Sequence, residues 1–164
     1  MKTLYLVRHA KSDQGIEGIE DIDRPLNTRG YRDAQSMSIA MNKNKLLPDL
    51  IITSSAIRAF STALIFCRNF NLNPDNLIIK TDLYNSSVKN YLQVITKADD
   101  RLASLMLFGH NPVISDLANR LTSAITENLP PCSIVAIKSK CKHWDNFDES
   151  ESELMFYNFP KKNN

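Results

Sequence analysis

Apolar residues fall along the chain in short runs that alternate with stripes at helical spacing. The run Leu4-Tyr5-Leu6-Val7 stops abruptly at Arg8 and His9. An unbroken apolar run of that length reads as a strand buried on both faces, as in a parallel sheet. Residues 11–27 are polar, contain Gly15 and Gly18, and read as a loop. A helix then starts at Asn27 or Thr28, carries Tyr31, Ala34, Ser38 and Met41 on one stripe, and is over by Pro48. Residues 50–53 form a second strand. Ser54 or Ser55 is placed to cap the following helix, whose inward stripe is Ala56, Phe60, Ala63 and Cys67.

The same alternation continues. Residues 77–79 read as a third strand, and 87–97 as a helix with Val88, Tyr91, Leu92 and Ile95 at i, i+3, i+4, i+7. Residues 105–108 give a fourth strand, stopped by Gly109. Asn111 is placed to cap the next helix, with Pro112 in its first turn, where a missing N–H costs nothing. Ile114, Leu117, Ala118 and Leu121 face inward. Segments 132–138 and 153–157 read as closing strands. No helix separates them, so they are expected to be antiparallel, and the stretch around Trp144 reads as a loop. The pattern predicts an α/β protein: a three-layer α/β/α sandwich on a mostly parallel central sheet, with antiparallel strands at its C-terminal end. One domain over 1–159 and a tail over 160–164 are expected, with no internal repeat.

Composition narrows the partners. A formal charge of +2 on 164 residues is too small to predict nucleic-acid binding. Lys138, Lys140 and Lys142 read as the solvent side of an edge strand. The three cysteines, Cys67, Cys132 and Cys141, are odd in number and lack metal-ligand spacing. Cys67 and Cys132 read as small core residues. No apolar stretch approaches the ~20 residues of a membrane span, and residues 1–9 do not resemble a signal peptide. The expectation is a cytoplasmic protein without nucleic-acid or membrane partners.

The candidate chemistry lies at strand-to-helix junctions. Arg8 and His9 follow the first strand, Arg58 sits one turn after the second, and His110 follows the fourth. Parallel strands would bring all three junctions to one sheet edge, where open α/β sheets bind ligands. Two junctions are also helix N-termini, which favour anions. Arginine offers a planar cationic fork, and a neutral imidazole is a nucleophile. Of the three histidines only His143 has no such company, and it reads as a surface residue. Zinc is disfavoured, because adjacent arginines repel a dication. The four glycines form no nucleotide-binding loop, and no Gly-x-Ser-x-Gly elbow is present.

These residues resemble the histidine phosphatase superfamily, the phosphoglycerate mutase-like fold, whose first strand ends in Arg-His-Gly; here it reads Arg8-His9-Ala10. Residues 6–12, Leu-Val-Arg-His-Ala-Lys-Ser, resemble the SixA-type phosphohistidine phosphatases more closely than the mutases. Arg24-Pro25-Leu26-Asn27-Thr28-Arg29-Gly30, Ser54-Ser55-Ala56-Ile57-Arg58-Ala59 and Gly109-His110-Asn111-Pro112 resemble further motifs of that branch. The resemblance covers residues 3 to 137. It implies that His9 accepts the phosphoryl group and that Arg8, Arg58, His110 and Arg24 hold its oxygens, with no metal and no cofactor. For the general acid, Asp82 is the positional match and Asp13 a second candidate. The implied substrate is phosphohistidine on a phosphocarrier or phosphotransfer domain. The alternatives are a small phosphate ester, or a phosphate-binding module without turnover.

Overall fold

The computed structural model describes residues 1–147 and 152–161. Six strands, β1 (Lys2–Arg8), β2 (Leu50–Ser54), β3 (Leu77–Lys80), β4 (Ser104–Gly109), β5 (Ile134–Ser139) and β6 (Ser152–Asn158), form one sheet in the order β3-β2-β4-β1-β5-β6. The β1–β4, β2–β4 and β2–β3 pairs are parallel. β5 pairs antiparallel with both β1 and β6, so it alone runs against the rest. The helices are α1 (Thr28–Lys43), α2 (Ile57–Asn69), α3 (Val88–Thr96) and α4 (Val113–Thr122).

Successive strand residues point to opposite faces, and this sorts the core into two layers. Leu4, Leu6, Leu105 and Leu107 pack with Tyr91 and Ile95 of α3 and with Ile114, Leu117 and Leu121 of α4. Tyr5, Val7, Met106 and Phe108 pack with Ala34, Met37 and Met41 of α1 and with Ala63, Phe66 and Cys67 of α2. The result is the expected α/β/α sandwich.

Several local expectations are corrected. Tyr31 does not face inward; it is 50% exposed, and Met37, nearly two turns further along, is buried instead. α2 has no side-chain cap, because Ser54 belongs to β2 and Ala56 occupies the cap position. Asn111 does not cap α4; its side-chain oxygen accepts from Ser115 Oγ at 2.8 Å, and Pro112 stands at the cap. β5 is not an edge strand. Lys138 lies between Thr3 of β1 and Glu153 of β6, and Lys140 and Lys142 lie beyond the strand. Trp144 is fully buried in a single 3₁₀ turn, its indole N–H donating to the Leu102 carbonyl at 2.9 Å. Of the expected tail, residues 162–164 lie outside the described residues.

Asn27 does cap α1, accepting from the Gly30 N–H at 2.9 Å. The loop before it is closed at its base by a bridge between Ser12 and Leu26 and by Asn27 N–H donating to the Lys11 carbonyl at 3.0 Å. A Cβ on Gly30 would lie 2.1 Å from that carbonyl oxygen, so only glycine lets the helix start this close to the chain leaving β1. Among the described residues no helix is long and apolar enough to cross a membrane.

Candidate active site

β1 and β4 are parallel neighbours, with Arg8 level with Gly109. The residues that follow them therefore emerge side by side. His9 N–H donates to the Gly109 carbonyl at 3.0 Å, and the His9 and His110 ring centres are 5.1 Å apart. The turn after β1 is pinned from two sides. Ala10 N–H donates to Thr62 Oγ1 of α2 at 3.0 Å, and Cys132 N–H donates to the Arg8 and His9 carbonyls at 3.1 Å. Burial pushes the Cys132 thiol up and keeps it protonated.

His9 Nδ1 lies 2.7 Å from the Ala10 carbonyl oxygen. A carbonyl only accepts, so Nδ1 carries the proton and Nε2 keeps its lone pair. Burial drives the His9 pKa down to about 3. The Ala10 bond opposes this, and His110, Arg58 and Arg8 add to it by charge. The His9 ring is neutral at physiological pH.

His110 Nε2 lies 2.8 Å from Ser54 Oγ at the end of β2. Its pKa is lowered to about 4, first by burial and then by the Arg58 charge; Asp21 acts in the opposite sense. Tyr84 packs edge-to-face on its ring at 5.8 Å.

The arginines differ in their surroundings. Arg8 donates from one terminal nitrogen to the Leu129 carbonyl, and burial lowers its pKa. Arg58, the second residue of α2, is buried and donates from both terminal nitrogens to Asp21, once to its main-chain oxygen and once to Oδ2 at 2.8 Å. Arg24 reaches Ser12 Oγ at 2.6 Å, the Asp13 carbonyl at 3.0 Å and Asp21 Oδ1 at 2.6 Å. It joins the cluster through Asp21. Partial burial raises the Asp21 pKa, but hydrogen bonds from Tyr84 and Arg58 and the charges of Arg58 and Arg24 outweigh it and hold the carboxylate ionised.

Asp82 is not brought into this cluster. Its carboxylate accepts from Thr81 Oγ1 at 3.3 Å and borders a separate cavity of about 440 Å³ beside Ile78 and Val94. The Asp13 carboxylate is turned onto the Gly15 N–H at 3.0 Å. His143 is exposed and paired with Asp100, whose main-chain oxygen accepts from Lys2 at the start of β1, the opposite end of that strand from His9.

A cavity of about 520 Å³ opens over His110, bordered by Asp21, Arg58, Tyr84, Ser86 and Asn111. Among the described residues, Arg8 Nε, Ser86 Oγ and His110 Nδ1 are buried side-chain polar atoms with no protein hydrogen-bond partner. A buried orphan of this kind costs about 1–3 kcal/mol. Two of the three belong to the clustered cations and imidazoles, so an oxyanion placed among them would relieve the cost. Together with the His9 lone pair, the arrangement suits binding and nucleophilic capture of a tetrahedral anion.

Ser54, Thr62, Asp21 and Tyr84 were not picked out as site residues from sequence. Ser54 was visible but reads locally as a cap. Asp21 opens a single 3₁₀ turn and Tyr84 closes another, each too short for periodicity to mark it.

The model of the histidine phosphatase superfamily (branch 1) matches residues 4–91. An uncharacterized protein of Mycobacterium tuberculosis is 27% identical over 164 residues, spanning 94% of this chain and 100% of that protein. The crystal structure of a candidate phosphohistidine phosphatase SixA from Agrobacterium tumefaciens superposes with a TM-score of 0.83 at 25% identity, covering 98% of this chain and 99% of the other. A mycobacterial glucosyl-3-phosphoglycerate phosphatase shares the fold at a TM-score of 0.71 and 14% identity, covering 97% and 99%.

Proposed function

The chain belongs to the histidine phosphatase superfamily, and from that premise we propose that it hydrolyses protein phosphohistidine through a phosphoryl group held covalently on His9. It is a metal-independent phosphatase. The observation that carries the reading is the state of His9: a neutral, buried ring with Nδ1 tied to Ala10, its centre 5.1 Å from that of His110 and its charge state set in part by Arg58 and Arg8.

In the first step His9 Nε2 forms a bond to phosphorus while the bond from phosphorus to the substrate's ring nitrogen breaks. The bonding pair stays on that nitrogen. A substrate imidazole already protonated on its other nitrogen leaves as neutral histidine. No acid from the enzyme is then needed, which fits the position of Asp82 in another cavity. In the second step water attacks phosphorus and the pair of the P–N bond returns to His9 Nε2. Inorganic phosphate departs, keeping one water proton as its hydroxyl and passing the other to a second phosphate oxygen or to solvent. Arg8, Arg58 and His110 offset charge on the equatorial oxygens in both steps. Arg24 contributes its charge through the Asp21 bridge.

A second reading, a small phosphate ester as substrate, is favoured by the cavity of about 520 Å³ beside His110, which lies within the range of about 300–1,000 Å³ usual for small-molecule sites. Residues 1–159 act as one catalytic domain on either reading. The free, buried cysteines fit a reducing compartment such as the cytoplasm.

The test compares a phosphohistidine-bearing phosphocarrier domain with a small aryl phosphate. Faster turnover of the protein, an acid-labile phosphoryl group on His9, and no turnover by His9→Ala are expected. Retained hydrolysis by His9→Ala would overturn the mechanism, and a preference for the aryl phosphate would move the substrate to the second reading.

A further inference from the structure

Asp21 touches no reacting atom in the steps above, yet three separate segments end on it. Arg58 from α2, Arg24 from the base of the 11–27 loop and Tyr84 from the segment after β3 all donate to its carboxylate, at 2.8, 2.6 and 2.9 Å. Its main-chain oxygen accepts a further bond from Arg58. We infer that Asp21 is the positioning residue for Arg58, fixing the plane and reach of the guanidinium that holds the phosphoryl group. The inference rests on the phosphatase reading only for the identity of that anion.

Guanidinium has five N–H donors. Two are used on Asp21, one from each terminal nitrogen. The two bonds to one residue set the guanidinium plane and leave Nε–H and one N–H on each terminal nitrogen for another acceptor. Asp21 is poorly placed to compete for the anion's own position. Its side chain is 49% exposed, whereas Arg58 is 8% exposed, so the carboxylate stands at the rim. The loop that carries it is closed at its base by the Ser12–Leu26 bridge, and Arg24 adds a second tie to Asp13. A buried guanidinium also needs a partner to stay folded inward. Asp21 supplies one without filling the space next to His9.

The test is calorimetric titration with inorganic vanadate, which needs no substrate. Asp21→Ala should weaken vanadate binding about tenfold, the low end for losing a group that orients a charged ligand. Arg58→Ala should weaken it at least as much, and the double variant should bind no worse than Arg58→Ala alone, because Asp21 acts through that side chain. Asp21→Asn, which keeps one acceptor oxygen, should recover part of the loss. Tyr84→Phe, a milder change at the rim, should cost two- to threefold. Unchanged or tighter binding by Asp21→Ala, or a loss that adds in full to that of Arg58→Ala, would overturn the inference. A wild-type enzyme that binds vanadate but hydrolyses no phosphohistidine would instead sink the substrate reading and leave the role of Asp21 standing.

Discussion

A Cβ built on Gly109 would lie 1.8 Å from the hydroxyl oxygen of Tyr91 and 2.7 Å from its ring carbon. Gly109 ends β4 one residue before His110, and Tyr91 is a fully buried residue of α3 whose hydroxyl donates to the Leu83 carbonyl at 3.2 Å. The ring thus packs directly against the residue that precedes the second histidine. Gly109→Ala should lower stability by about 2 kcal/mol, in the range for overpacking a filled core, and should slow turnover by displacing His110. Urea unfolding and steady-state kinetics measure both; an unchanged unfolding midpoint would show that the ring yields without cost.

Ser54 holds the outer nitrogen of His110. Ser54→Ala removes that hydroxyl and leaves the imidazole free to rotate. Stability should fall by about 1 kcal/mol and kcat by about tenfold, with KM changing less, since the role proposed for His110 is to offset charge that grows during transfer. A kcat equal to wild type would show that packing against Tyr84 alone orients the ring.

Acid sensitivity follows from two buried neutral imidazoles. His9 and His110 are lowered to about 3 and about 4, against about 6.5 in an unfolded chain. As the pH falls below about 6.5 the unfolded chain takes up protons on both residues and the folded chain does not. Their contribution to stability is therefore complete above that pH and declines until the folded values are reached. His9→Ala and His110→Ala should each flatten the fall in unfolding free energy between pH 6.5 and pH 3. The same acid slope in both variants and the wild type would contradict the burial of uncharged rings.

Asp82→Asn should leave turnover of a phosphohistidine substrate within about twofold of wild type, because its carboxylate borders the cavity beside Ile78 and not the one over His110. A loss of a hundredfold would require the segment carrying Asp82 to move during the reaction.

The features legible in sequence were those written in local pattern. Leu4–Val7 and the run ending at Phe108 mark buried parallel strands, and the abrupt change to His9 and His110 marks the sheet edge where the two imidazoles meet. Pattern says nothing about neighbours across the sheet, so the interior position of β5 and the pairing of Lys138 with Glu153 could not be read. Tyr31 fits a helical stripe as well as Met37 does; which of them is buried depends on where Phe156 and Ile134 stand on the far side of α1. The link between Asp21 and Arg58 spans 37 residues and leaves no periodic trace. Trp144 looked like a loop residue because its shelter, Leu102 and Lys2, comes from elsewhere in the chain.

β1 is hydrogen-bonded along both edges, to β4 on one side and β5 on the other. His9 therefore hangs from a well-anchored part of the molecule, whereas Asp21, Tyr84 and Asn85 stand on connecting segments outside the sheet. On the proposed function, such a division lets evolution, or an engineer, exchange those connectors to admit a different phosphorylated cargo while the transfer machinery stays in register.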